Sequence, residues 1–97
     1  YTQDDEAAVG ALTAIQNAKR RDIQFVTGMG GGKTSYKLMS EKNPLYGVST
    51  SYFPTMGGRS VVLAKKILLG EKFKKDNIEP TVNVTSANVA KYLNDAY

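Results

Sequence analysis

The residues that could do chemistry centre on a glycine-rich stretch, FVTGMGGGKTSYKLM, at positions 25–39. A phosphate-binding loop of the form G-x-x-x-x-G-K-[ST] uses such residues, because its backbone N–H groups surround the phosphates and its lysine reaches the terminal ones. Counted back from Gly32-Lys33-Thr34, the first glycine belongs at position 27, where the chain has Thr27. Gly28 is one residue too close. The spacing argues against a P-loop, and a nucleotide-binding enzyme stays open as an alternative.

Acid–base and metal chemistry have little support in the composition. The chain has no histidine and no cysteine, which removes the commonest general base and the commonest metal ligands. Its serines therefore lack the partner that a hydrolase triad requires. Asp4, Asp5 and Glu6 stand at the start of a predicted helix, where capping outweighs acid–base work. We predict a protein that is not an enzyme and that holds no cofactor or metal.

Length and charge restrict the class of protein further. A chain of 97 residues is at most one small domain, and 41% hydrophobic with 23% charged residues is typical of a globular one. The net charge of +4 comes from basic residues near the ends of predicted helices, where cations complement the helix dipole. Because no nucleic-acid-binding motif accompanies them, we predict no nucleic-acid partner. No apolar run approaches the roughly 20 residues of a transmembrane segment.

Helices and strands alternate in the predicted structure. Apolar side chains spaced by three and four indicate a helix from Asp5 to Lys19, capped by Asp4 or Asp5. Strands are predicted at 22–28, 45–53 and 81–85, and further helices at 33–42, from 55 to about 69, and at 86–97. Such alternation implies parallel strands in an α/β sandwich. The glycine loop then follows the carboxyl end of a strand, where open α/β sheets bind ligands, although it could equally serve to turn the chain.

Four segments resemble one family when taken in order. QDDEAAVGALTAI is similar to N-D-x-x-A-x-G-A-x-x-A, and IQFVTGMGG to V-V-G-F-D-G. GVSTSYFPTMGGRSVVLAKKILLGEKF is similar to A-T-V-x-Q-x-P-x-x-M-G-x-x-A-x-x-x-L-x-x-G-E, and VNVTSANVAKYL to V-T-x-x-N-V-x-x-Y. The second pattern in each pair is that of the sugar-binding proteins of bacterial ABC importers of the ribose and galactose type, and the chain therefore resembles this family.

The resemblance implies the fold, the division of the chain and the partners. The fold would be an incomplete α/β parallel-sheet sandwich of the type I periplasmic binding protein kind, its C-terminal portion. Residues 1–51 would belong to the C-terminal ligand-binding lobe, 52–80 would form a hinge crossing and a helix packed on the N-terminal lobe, and 81–97 a closing strand and helix. The expected partners are a sugar-like small molecule, the N-terminal part of the same protein and an ABC permease, in a periplasmic or extracytoplasmic location.

The same resemblance implies the ligand-binding residues. The family's Asn-Asp pair falls on Asp4 and Asp5, its Asp in G-F-D-G on Gly30, and its Gln before the hinge Pro on Tyr52. A carboxylate can accept hydrogen bonds from sugar hydroxyls. Gly30 has no side chain and Tyr52 is aromatic. These two departures weaken the case for a simple pentose or hexose as the ligand and favour a binding pocket with a more aromatic wall.

Two further expectations follow from this resemblance. The effector lobe of a LacI-type repressor, or a sensor receptor, is an alternative with the same fold. The segment from Val84 to Leu93, however, looks like the closing segment of the transport proteins and not like that of the repressors. The helix from Thr55 to Leu69 is expected to expose apolar surface unless a complementary part or another copy covers it.

Overall fold

Three α-helices and three strands alternate along the chain in the computed structural model, which describes all of residues 1–97. Their order is α1 (Asp5–Asn17), β1 (Val26–Gly30), α2 (Lys33–Ser40), β2 (Tyr46–Ser51), α3 (Thr55–Leu68) and β3 (Val82–Val84). The predicted α/β class is confirmed. None of the helices combines the length and the apolar character that crossing a bilayer would require.

The three strands form one sheet in the order β1-β2-β3. β1 and β2 pair in parallel, as predicted, whereas β3 lies antiparallel to β2, with Ser49 opposite Val84 and Ser51 opposite Val82. A parallel return would need a crossover helix packed on the sheet. α3 has no buried residue, so it does not make that crossover and the chain re-enters the sheet in the other direction.

α1 and α2 cover one face of the sheet. Along β1 the exposure alternates, with Val26, Gly28 and Gly30 buried and Thr27 and Met29 half-buried. This alternation is what a strand with one covered face produces. The hydrophobic core lies on the covered side and consists of Ala8, Leu12, Val26, Tyr36, Met39, Tyr46, Val84 and Val89.

The closing segment forms two 3-10 turns, Val89–Lys91 and Leu93–Asp95, where the sequence predicts an α-helix. Asn88 explains the difference. Its side-chain oxygen accepts from the Thr85 N–H at 2.8 Å, and its amide nitrogen donates to the Asn83 carbonyl at 3.1 Å. Such local side-chain bonds compete with the regular backbone bonds of a helix, so the segment follows the strand as a series of turns.

α3 extends away from the rest of the molecule. The chain measures 58 × 25 × 18 Å with a radius of gyration of 17.0 Å, against about 12.5 Å for a compact domain of this length. The predicted exposure of apolar surface on α3 is confirmed. The large apolar residues exposed on α3 and in the segment after it are Val61, Val62, Ile67, Leu68, Leu69, Phe73 and Ile78.

Candidate functional site

The Asp5 carboxylate is the centre of a buried polar cluster at the carboxyl end of β1. Asp5 is only 3% exposed. Its Oδ2 accepts from the N–H of Gly31 at 2.9 Å and of Gly32 at 2.7 Å, and from the Ser49 hydroxyl at 3.0 Å. A buried charge is tolerated when hydrogen bonds replace its hydration, and these three donors meet that requirement for one oxygen.

The second carboxylate oxygen binds a phenol. The Tyr46 hydroxyl donates to Asp5 Oδ1 at 2.8 Å, and the same hydroxyl is hydrogen-bonded to that of Ser35 at 2.8 Å. Burial raises the pKa of the Tyr46 phenol above its usual value, and the adjacent Asp5 carboxylate raises it further. Tyr46 therefore stays protonated and remains a donor to Asp5 at any physiological pH.

Gly28 leaves the space in which these groups meet. A Cβ at this position would lie 2.2 Å from Tyr46 Oη and 2.3 Å from Asp5 Oδ1, distances that no side chain could accept without moving both groups. The glycine is therefore required by close packing at the middle of β1. It was part of the P-loop comparison in the sequence, but in the structure its role is to admit the carboxylate.

The loop after β1 presents its amides to Asp5. Gly30 has φ +136° and Gly31 has φ +107°, a backbone region that favours glycine. This conformation directs the N–H groups of Gly31 and Gly32 at the carboxylate. In a P-loop such amides bind phosphate. Here an internal anion already occupies them, which speaks against the nucleotide-binding alternative, since a phosphate would have to displace a buried carboxylate.

Two tyrosines flank the outer side of this loop. The Tyr52 N–H donates to the Gly30 carbonyl at 3.1 Å, and Tyr52 is 40% exposed. Tyr97 is held at the loop by its backbone and is 47% exposed. Burial raises the pKa of the Tyr97 phenol to about 12, and the neighbouring Tyr52 phenol contributes to the same rise. The Tyr97 phenol is therefore a neutral hydrogen-bonding group at physiological pH.

A cavity of about 240 Å³ opens beside the loop, between the first turns of α1 and α2. Most of the residues around it carry polar groups. The residues that line it are Asp5, Glu6, Val9, Gly32, Lys33, Thr34, Ser35 and Tyr97. No group of three or more acidic residues lies close enough together to hold a metal ion. The arrangement is suited to binding a polar small molecule by hydrogen bonds.

The structure brings together three of the four residues that the sequence predicts as ligand-binding. Asp5, Gly30 and Tyr52 lie at the same edge of the sheet. Asp4 is exposed, and its Oδ1 accepts from the Ala7 N–H at 2.6 Å, which makes it the N-cap of α1. The capping role predicted for Asp4 or Asp5 thus falls to Asp4. The prediction that these four residues contact a ligand stays a prediction.

Sequence reasoning missed the partners of Asp5 and the position of Tyr97. Tyr46 and Ser49 are both buried on β2 although they are three positions apart, because the pairing register with β1 shifts between Val26 and Thr27. Strict alternation along the strand would have placed them on opposite faces, so the sequence pattern gave no signal for this pair. Tyr97 reaches the loop from 66 positions away, as its N–H donates to the Gly31 carbonyl at 3.4 Å. No spacing in the sequence indicates that contact.

The comparisons with known proteins place this geometry in a known fold. No protein-family model matches the chain, and no curated protein does. Among solved structures, the chain is similar to the periplasmic binding protein component of the arabinose ABC transporter from Shewanella sp. ANA-3, bound to alpha and beta-L-arabinofuranose. The TM-score is 0.71 at 22% sequence identity, over 95% of this chain and 31% of that one.

This likeness shows the fold. The layers of helix and sheet in residues 1–97 are those of part of a type I periplasmic binding protein. The chain spans about a third of the length of the protein that it matches. The fold predicted from the four sequence segments is confirmed.

Proposed function

We propose that the chain forms one wall of a ligand cleft in a solute-binding protein of an ABC import system, and that the solute is a sugar or a sugar-like molecule. The observation that carries this proposal is the position of the polar edge. Asp5, the glycine loop and Tyr52 lie at the carboxyl ends of the parallel strands β1 and β2. Open α/β sheets bind their ligands at this edge.

The similarity to a sugar-binding protein supports the same proposal. The matching structure is described as the binding component of an arabinose transporter and holds arabinofuranose. A related ligand would fit the polar groups at this edge, because hydroxyls of a sugar pair with phenols and carboxylates and its C–H faces pack on aromatic rings. The protein would then work outside the cytoplasm and deliver its solute to a membrane permease.

The division of the chain between two lobes is part of the proposal. Residues 1–51 would form part of the C-terminal ligand-binding lobe, and 81–97 would close it. Residues 52–80 would cross the hinge, with α3 packed against an N-terminal lobe of the same protein. The exposed apolar side chains of α3 support this arrangement, since a surface such as Val61, Leu68 and Leu69 normally contacts another layer.

Thermal unfolding of the intact protein with a panel of ligands tests the function. The panel contains L-arabinose, other pentoses, hexoses, phosphorylated sugars and Mg-ATP. A ligand present at about 100 times its Kd adds roughly 2.7 kcal/mol to the free energy of unfolding, which raises the Tm measurably. We expect a rise with a neutral sugar that is reduced in Tyr52→Ala and kept in Tyr1→Ala, whose phenol is 89% exposed. A rise with Mg-ATP alone, abolished by Lys33→Ala, would contradict the proposal.

A further inference from the structure

Position 30 lacks a side chain, but the space beside it is filled. A Cβ built on Gly30 would lie 3.0 Å from Tyr97 Oη and 3.6 Å from Asp5 Oδ2. The phenol of Tyr97 therefore stands in close contact with the position that a Cβ at residue 30 would take. A longer side chain at position 30 would require the phenol to move, and the φ of +136° would strain it in addition.

The backbone of Tyr97 is attached to the glycine loop on both sides. Its N–H donates to the Gly31 carbonyl at 3.4 Å, and its carbonyl accepts from the Lys33 N–H at 3.1 Å. These bonds place the last turn of the described chain against the loop between β1 and α2. The backbone bonds thus keep Tyr97 beside the loop, within reach of Gly30.

Tyr97 also borders the cavity beside the glycine loop. Tyr97 is one of the residues that line the 240 Å³ space beside the loop, and 47% of the residue remains accessible. A phenol offers one donor and one acceptor, together with an apolar ring face. By contrast, the Asp5 carboxylate is 3% exposed and has four protein donors of its own. Of these two residues, Tyr97 is the accessible one, and its phenol lies beside that of Tyr52.

We propose that Tyr97 is a specificity-determining residue, whose phenol supplies the ligand contact that position 30 cannot make, while Asp5 acts as a positioning residue that holds the glycine loop beneath it. The inference rests on the proposed function and deepens it. The class of ligand that it selects is a neutral hydroxylated ring with one apolar face. The hydroxyl of the ligand bonds to the phenol and the apolar face packs on the ring beside Tyr52.

Ligand titration of the intact protein and of two matched variants tests this inference. Tyr97→Phe removes the phenol oxygen and keeps the ring and the backbone bonds, so its Tm should stay within a few degrees of that of the unmodified protein. Tyr92→Phe removes a phenol from the same segment and serves as the control. Binding of L-arabinose and of the best sugar in the thermal panel is measured by calorimetry. The ring protons of Tyr97 are followed by NMR in the same titration.

The expected result is a ring signal of Tyr97 that shifts with sugar, and a Kd raised about threefold to tenfold in Tyr97→Phe but unchanged in Tyr92→Phe. Sugar binding that leaves the Tyr97 signal in place and is equal in all three proteins would overturn the inference and leave the proposed function standing. Failure of the intact protein to bind any sugar of the panel would overturn both.

Discussion

Two regions of the molecule differ in what their helices contact. The body, residues 1–53 and 82–97, contains all 15 buried residues of the chain. The arm, residues 54–81 with α3 at its start, contains none. The helix α1 in the body and the helix α3 in the arm both have apolar residues at helical spacing. A periodic pattern thus identifies the face of a helix that will be covered, but it does not identify the element that covers it.

The body also differs from the arm in its polar chemistry. In the body, one carboxylate joins the first turn of α1, the glycine loop and β2 through buried bonds. In the arm, the ion pair between Arg59 and Glu79 has its arginine side chain 62% exposed and its glutamate side chain 25% exposed. Exposed pairs contribute little to stability, whereas a buried network fails as a unit when one member is removed. Stability should therefore depend on the body and be nearly insensitive to the arm.

The largest effect is expected from Asp5→Ala. This substitution leaves four donors without their acceptor, among them two backbone amides and a buried phenol. We expect a loss of about 3 to 5 kcal/mol in the free energy of unfolding, measured by denaturant titration. Asp4→Ala is the control, because the adjacent acid only caps α1, and should cost about 1 kcal/mol. Equal losses in both variants would contradict the role assigned to the Asp5 carboxylate.

Gly28→Ala should have the next largest effect. The new methyl group would collide with Tyr46 Oη and Asp5 Oδ1, and separating them costs about 2 to 4 kcal/mol in the free energy of unfolding. Gly10→Ala is the matched control, since nothing lies within 4 Å of a Cβ there. In the interior of α1 that change should stabilise by about 0.5 to 1 kcal/mol. Chemical denaturation of the two variants should shift in opposite directions.

The same substitution in the two regions sharpens the comparison between body and arm. Leu12 on α1 is 4% exposed and Leu68 on α3 is 86% exposed. Leu12→Ala should lower the free energy of unfolding by about 2 to 4 kcal/mol, while Leu68→Ala should change it by less than about 0.5 kcal/mol. Denaturant titration of the 97-residue chain measures both. A large loss from Leu68→Ala in that chain would show that the arm is covered after all.

The smallest effect on stability is expected from the exposed ion pair between Arg20 and Asp22, which lies between α1 and β1. The Arg20 guanidinium donates through Nε to Asp22 Oδ1 at 2.6 Å and through Nη2 to Asp22 Oδ2, and this bonding lowers the pKa of Asp22 from 3.8 to about 2. Because the pKa is depressed, the contribution to stability is present above about pH 3.8 and is lost as the pH falls through about 2.

NMR titration of the Asp22 carboxyl measures this pKa directly. In Arg20→Gln the value should return toward the ordinary one, while the Tm at neutral pH should hardly change because both side chains are exposed. A titration that is the same in both proteins would show that the pair does not form in solution.

Local signals in the sequence were sufficient for most of the elements. The spacing of three and four between apolar residues, here Ala8, Leu12 and Ile15, predicted α1. The direction of β3 could not be predicted this way, because the pattern Val-Asn-Val is the same in a parallel and an antiparallel strand. It depends on α3 leaving the sheet, which is a tertiary property.

The sequence predicted a candidate site at the carboxyl end of a strand, because a glycine run after an apolar strand is a local pattern. Ligand binding there stays a prediction. The hydrogen bonds of Asp5 could not be predicted, since its partners lie 26 to 44 positions away. An acidic residue at a helix start has the same local sequence whether it contacts ligand, caps the helix or, as here, binds a loop.

The hydrogen bonds of the glycine loop should also affect how fast its amide hydrogens exchange with water. Loop amides usually exchange their hydrogens quickly, because a small local fluctuation exposes them to water. The amides of Gly31 and Gly32 are bonded to a carboxylate that is itself held by β2, so they cannot be released without parting strands distant in sequence. Their exchange should be as slow as that of the central strands. In this protein, the residues with the greatest backbone freedom would report the opening of the whole body.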